Sequence, residues 1–154
     1  MPSSAASAAS TILRTGLVAG TLDITAAITV YAFILDKVTA LQLLQSVASG
    51  VYGRQAFTGG LAMGLAGLLF HYLIALTFTT AYYLVYPYLP FLQRHPVISG
   101  IVFGIVVWSI MNLLVLPLSN CATRPLQLGP SLLGMAIIIV MIGLPVALLT
   151  KKLR

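Results

Sequence analysis

Four long apolar runs, at residues 12–35, 60–86, 97–118 and 131–150, constrain this chain more than any other feature of its sequence. A helix rises about 1.5 Å per residue, so about 20 residues cross a hydrocarbon core of ~30 Å, and every run meets or exceeds that length. None shows the two-residue alternation of a membrane barrel strand. The runs therefore predict an all-α fold, a polytopic membrane protein whose four transmembrane helices form one bundle. Charge content agrees: 60% of the 154 residues are hydrophobic and 6% are charged, against roughly 25% charged in ordinary soluble domains. Two acids, Asp23 and Asp36, and eight bases are too few to clothe a water-facing globule of this size.

Local signals mark the ends of the runs. Asp36-Lys37 closes the first, Pro87 and Pro90 close the second, Pro96 precedes the third and Gly129-Pro130 precedes the fourth. Residues 1–11 are small and polar with no apolar period, which predicts a flexible tail; 12–150 form the membrane domain and 151–154 a basic end. Between the first two spans, Leu41, Leu44, Val47, Ala48 and Val51 recur at helical spacing opposite Gln42, Gln45 and Ser49. That pattern predicts a short interfacial amphipathic helix over Thr39 to Tyr52.

The net charge of +6 does not point to nucleic acid, because the bases are scattered singly apart from Lys151, Lys152 and Arg154. Basic residues beside apolar spans report insertion polarity instead. Arg14, Arg94, Lys151, Lys152 and Arg154 fall on one side and Lys37, Arg54 and Arg124 on the other, which places both termini in the cytoplasm. Tyr82, Tyr83, Tyr86 and Tyr88 crowd the same side, as an aromatic belt would. The lipid bilayer is the expected partner, with a homo-oligomer or a larger membrane complex as further candidates.

Ionisable side chains inside hydrocarbon cost several kcal/mol and face the bundle interior, with a partner. Here they are Asp23 and His71, joined by the strongly polar Asn112. Gly16, Gly20, Asp23 and Ala27 share one face of the first span; Gly60, Gly64, Gly67, His71 and Ala75 share one face of the second; Gly100, Gly104, Trp108 and Asn112 recur at four-residue steps on the third. The pairs Gly16/Gly20, Gly60/Gly64 and Gly100/Gly104 are thus candidate helix-packing positions. Asp23 follows Arg14 by nine residues and His71 follows Gly59 by twelve, which puts both ~12–14 Å from the cytoplasmic side, with Asn112 roughly 10 Å from the outer surface. Asp23 and His71 can therefore meet in a hydrogen bond, either as polar glue between helices or as a pair that handles a proton. Asn112 belongs to a different level.

Other chemistries find no support in the residues. Cys121 stands alone, so thiol-pair redox chemistry is excluded, and His71, His95 and Cys121 have no metal-ligand spacing. No nucleophile elbow, phosphate-binding loop or zinc-protease helix occurs, and neither catalysis nor a cofactor is expected.

Gly20-Thr-Leu-Asp23, Ala48-Ser-Gly50, the glycine-rich approach to His71, and Trp108-Ser-Ile-Met-Asn112 ending at Leu116-Pro117-Leu-Ser119 together resemble the YagU-like bacterial inner-membrane proteins, over about residues 12–150. The resemblance implies a bacterial inner-membrane location and a link to acid resistance, and it carries over no established binding residue.

Overall fold

The computed structural model describes residues 5–121 and 128–154. Among them the helices run in the order α1 (Ala5–Ile28), α2 (Ala40–Tyr52), α3 (Gly60–Val85), α4 (Pro90–Arg94), α5 (Pro96–Ile110), α6 (Leu116–Leu118), α7 (Leu128–Ile138) and α8 (Leu144–Leu153), with no strand. π-helical turns at Thr29–Ile34, Met111–Val115 and Ile139–Gly143 prolong α1, join α5 to α6 and join α7 to α8. The result is four spans, Ala5–Ile34, Gly60–Val85, Pro96–Leu118 and Leu128–Leu153, each long and apolar enough to cross a membrane. The protein is an all-α, four-span integral membrane protein.

Two of the π-helical turns have a cause in the sequence. Proline lacks the N–H that would bond four residues back, and its ring clashes with that carbonyl. Pro117 and Pro145 lie just beyond Met111–Val115 and Ile139–Gly143, where the widened turn takes up the mismatch.

The first span starts earlier than its apolar run suggests. Residues 5–11, read as part of a flexible tail, are helical, because an Ala-rich segment joined to an existing helix extends it at little cost. Thr11 is buried, and its hydroxyl donates to the Leu153 carbonyl at 3.3 Å. At the same end Arg154 donates to the Tyr83 carbonyl at 2.7 Å, with its guanidinium 4.4 Å from the Tyr83 ring centre. Thr11 of α1, the C-terminal Leu153 and Arg154 and the end of α3 therefore lie together, hereafter the terminal end. Arg124, one of the bases used for insertion polarity, lies outside the described residues.

The aromatic belt takes a different form from the one expected. Tyr82, Tyr83 and Tyr86 are buried, and of the four tyrosines Tyr88 is the one that is largely exposed. Tyr82 and Tyr86 join Ala19, Ile142, Val146 and Ala147 in the principal apolar cluster, because a phenol can bury its ring once its hydroxyl finds a partner. Tyr82 does so with Ser99 at 2.9 Å. Burial pushes the Tyr86 phenol above its usual range, opposed by the positive charge of Arg154.

Glycines set most of the close helix approaches. A Cβ on Gly16 would strike Leu76, one on Gly20 would crowd Tyr72 and Ala75, and α1 thereby seats against α3. Gly100 and Gly104 similarly admit the backbone of Gly143, Leu144 and Ile139 on the fourth span. Gly64 meets Leu41, so its partner is α2 and not another span. Gly60 is not a packing position: nothing lies within 4 Å of where its side chain would be, and its φ of +59° shows that it serves the turn into α3.

The helix between the first two spans exists where expected, closed at its start by a capping box in which Thr39 and Gln42 exchange side-chain and backbone hydrogen bonds. Its inward side mixes the two sets, with Leu41 and Leu44 against Gly64 and Gly67 of α3. Gln45, Ala48 and Ser49 are buried, while Leu41 and Val51 are exposed. Gln45 donates to the Gly60 carbonyl at 3.0 Å, and Ser49 bonds the Ser46 carbonyl. The buried polar groups Gln45 and Ser49 are thus satisfied by protein, and Val51 on the apolar side is left exposed, which costs nothing in lipid.

Candidate functional site

Halfway along the first span, α1 and α3 cross at Gly20, and this crossing fixes the site. With no side chain on Gly20, Tyr72 and Ala75 of α3 seat against α1, and His71 Nε2 donates to the Gly20 carbonyl at 2.8 Å. A carbonyl only accepts, so the proton must sit on Nε2 and leaves Nδ1 as the second functional atom of the ring. One turn further along α1 is Asp23, within electrostatic reach of His71. Beside them the Tyr72 hydroxyl bonds that of Thr21 at 2.8 Å, and the Tyr72 ring meets the His71 ring edge-on with centres 5.7 Å apart.

The structure thus brings Asp23 and His71 together but does not join them by the hydrogen bond the sequence suggested. The imidazole spends its Nε2 proton on backbone. No described residue donates a hydrogen bond to the Asp23 carboxyl. This is a meaningful departure, because a carboxylate serving as helix glue is held by donors.

Asn112 lies apart from the pair, at a more distal level of the third span. Its side-chain amide donates to the Trp108 carbonyl one turn back at 2.9 Å, which is a bond within its own helix. Asn112 sits inside the π-helical turn Met111–Val115.

Three contributors were not singled out from sequence. Tyr31, in the π-helical turn that ends the first span, lies within electrostatic reach of Asp23. Gly134 on α7 lies where two polar tips converge: a Cβ built there would sit 3.7 Å from the Tyr31 hydroxyl and 3.8 Å from Trp108 Nε1. Tyr72 is the third. A glycine amid Leu132, Leu133 and Met135 was the visible signal for Gly134, but an apolar run offers no way to choose its neighbours.

The surroundings differ sharply along the bundle. Toward the terminal end, Ala19, Val146 and Ala147 have no exposed surface and Tyr82 little. Toward the other end, none of the residues Thr29–Ile34, Met111–Val115 or Leu128–Ile138 is buried. Asp23, His71, Tyr31 and Trp108 are all half-buried, and toward that same end the α2–α3 contact encloses Ala48 fully, with Gln45 and Ser49 buried beside it. Among the described residues, no group of three metal-ligating side chains gathers.

No protein-family profile, curated protein or solved structure matches this chain.

Proposed function

We propose that this protein moves protons, or a small solute coupled to them, through the bundle by way of Asp23 and His71. The observation that carries the reading is an intramembrane carboxyl with no hydrogen-bond donor among the described residues, beside an imidazole whose Nδ1 is not used in the Gly20 bond. A carboxyl in low dielectric must be neutralised by a proton or by a positive partner, and the Nδ1 atom of the neighbouring His71 ring can accept a proton and pass it on. The tightly packed half between the pair and the terminal end implies that passage involves a rearrangement, so slow, gated flux is expected in place of an open pore. A bacterial inner-membrane location with cytoplasmic termini, and a role under acid stress of the kind the YagU-like resemblance implies, fit the same reading.

The test is proton flux into liposomes carrying a trapped pH dye, after an external acid jump. Wild-type vesicles should acidify faster than empty ones, and Asp23→Asn and His71→Ala should fall back to the empty-vesicle rate while remaining monodisperse and helical. Equal rates for wild-type and empty vesicles would overturn the proposal.

A second reading, a non-catalytic subunit or assembly factor, is favoured by a separate feature. α3 and α5 meet at Tyr82, whose ring centre is 4.7 Å from that of Phe103, but further along they part around a groove of ≈ 270 Å³ lined by Val47, Val51, Phe70, Ile74, Met111 and Leu116. A stoichiometric partner copurifying in mild detergent, together with no flux, would select this reading.

A further inference from the structure

Opposite the terminal end, α2, α3 and the third span together line the apolar groove of ≈ 270 Å³. Val47 and Val51 of α2, Phe70 and Ile74 of α3, and Met111 and Val115 of the third span form its walls. Those walls are pinned to one another. The Asn120 backbone N–H donates to the Gly50 carbonyl at 2.9 Å and its side-chain amide to the Val51 carbonyl at 2.8 Å, which ties the end of the third span to α2. Tyr52 of α2 stacks on Phe70 of α3 with ring centres 6.2 Å apart. The gap is therefore built into the fold. Left empty, it would forfeit dispersion contacts along every wall, so apolar matter that fits it binds there.

Dimensions and chemistry decide the occupant. The groove runs from Ser119 and Cys121, just past the end of the third span, inward to Met111, a depth of ~12 Å at the helical rise. Its volume over that depth leaves a cross-section of roughly 20 Å², the girth of one extended hydrocarbon chain, whereas an α-helix about 10 Å across needs several times more. A helix of another protein can lie over this groove but not in it. A polar solute finds no free donor on the walls: the Ser46 hydroxyl donates to the Leu43 carbonyl at 2.6 Å, that of Ser119 donates to the Leu116 carbonyl at 2.8 Å, and Cys121 Sγ lies 3.3 Å from the Ser49 hydroxyl. Charge beside the mouth selects the headgroup. A Cβ on Gly53 would lie 3.7 Å from the Asn120 carbonyl, so the next residue, Arg54, stands at the polar end of the groove. Arg54 is exposed and has no ion pair among the described residues. Asp36 and Lys37, charges of the same end, follow the first span, which lines no part of the groove.

We infer that this groove binds one acyl chain of an anionic phospholipid drawn from the surrounding bilayer, with the lipid phosphate against Arg54. Three helices line the chain, where a lipid of the mobile annulus meets a single face, and the base at the mouth gives the site its preference among headgroups. The inference is independent of the proton reading, since neither Asp23 nor His71 lines the groove. It competes with the subunit reading, because a chain bound here denies the groove to the side chains of a partner protein.

Cys121 is the only cysteine in the chain and borders the groove, so its alkylation reports whether the groove is filled. Delipidated protein in mild detergent, supplied with phosphatidylglycerol, should retain one lipid per chain in native mass spectrometry and react several-fold more slowly with N-ethylmaleimide. Phosphatidylcholine with the same chains should bind about fivefold more weakly, the worth of one base beside an anionic headgroup. Arg54→Gln should remove that preference and leave phosphatidylcholine binding unchanged. Val115→Phe, which sets a ring into the groove from an exposed position, should lose both the retained lipid and the effect of lipid on Cys121, and Ile74→Phe should do the same from the α3 wall. No retained lipid in the wild type, or retention by both groove-filling variants equal to wild type, overturns the inference. Equal retention of the two lipids by the wild type overturns the contact between phosphate and Arg54. A protein partner that copurifies and shields Cys121 in place of lipid overturns the inference in favour of the subunit reading.

Discussion

Two threonines deep in the bundle set a test of how its packing is satisfied. Thr15 and Thr150 have no exposed surface, and neither hydroxyl has a hydrogen-bond partner. Thr79, equally enclosed, behaves as membrane threonines do and donates to the Ala75 carbonyl one turn back at 2.8 Å. An unmet buried hydroxyl costs about 1–3 kcal/mol, whereas an apolar group of the same shape avoids that cost. Thr15→Val and Thr150→Val should therefore raise the thermal stability of the detergent-solubilised protein, by about 1 kcal/mol each, while Thr79→Val should lower it by a similar amount. Thermal unfolding followed by helical circular dichroism gives the sign for each, and destabilisation by the first two would mean that their hydroxyls are held by water or by each other. Gly67→Ala provides the calibration in the same assay: its new Cβ would press on the Leu44 carbonyl, which is backbone and cannot swing aside, so a loss of about 1–3 kcal/mol is expected from overpacking.

At the scale of the element, α2 depends on its first turn more than the spans depend on theirs. A transmembrane helix is held by lipid, which offers its backbone no alternative partners. A helix of 13 residues at the edge of the bundle has that support on one side only and is near the length at which helices are marginal in water. Thr39→Ala removes one side of the capping box and should cost about 1 kcal/mol locally. The expected result is faster hydrogen exchange at Ala40 to Leu43 with unchanged protection in α3, and exchange equal to wild type would show that packing on α3 alone holds the helix. The same element marks the boundary of what the sequence made legible. Length and apolarity located all four spans, since a bilayer of fixed thickness leaves little choice, and the Thr39-Gln42 spacing located α2. Which face of α2 turns inward was not readable, because Leu41 and Val51 are equally content in lipid or protein, and only the seats offered to Gln45 and Ser49 by Gly60 and Ser46 decide it. The candidate site divides in the same way. Asp23 and His71 were legible because charge is rare in hydrocarbon, whereas Tyr31 and Gly134 depend on the π-helical turn Thr29–Ile34 and on pairing between the first and fourth spans, and no proline announces that turn.

Across the whole molecule the two ends of the bundle are packed differently. The terminal half is closed by small residues at the helix crossings, with Ala19, Val146 and Ala147 fully enclosed and the tyrosines Tyr82 and Tyr86 packed beside them. The Arg154 contact with the Tyr83 carbonyl and ring ties the fourth span to the second at that end. At the opposite end α2 packs on α3 with Ala48 and Ala56 fully enclosed, while the π-helical turns Thr29–Ile34 and Met111–Val115 of the first and third spans bury no residue. On the proposed proton reading, Asp23 is reached from the side opposite the termini and closed off from the terminal side by the Ala19, Val146 and Ala147 packing, as gated exchange would require. In a Cys121→Ser background, a cysteine at position 23 should react with a membrane-impermeant maleimide added on the side opposite the termini, and should be protected from reagent added on the terminal side. A cysteine at position 147 should be protected from both. Equal reaction of the position 23 cysteine from both sides would replace the one-sided vestibule with a continuous aqueous path, and proton movement would then need no rearrangement of the Ala19, Val146 and Ala147 packing.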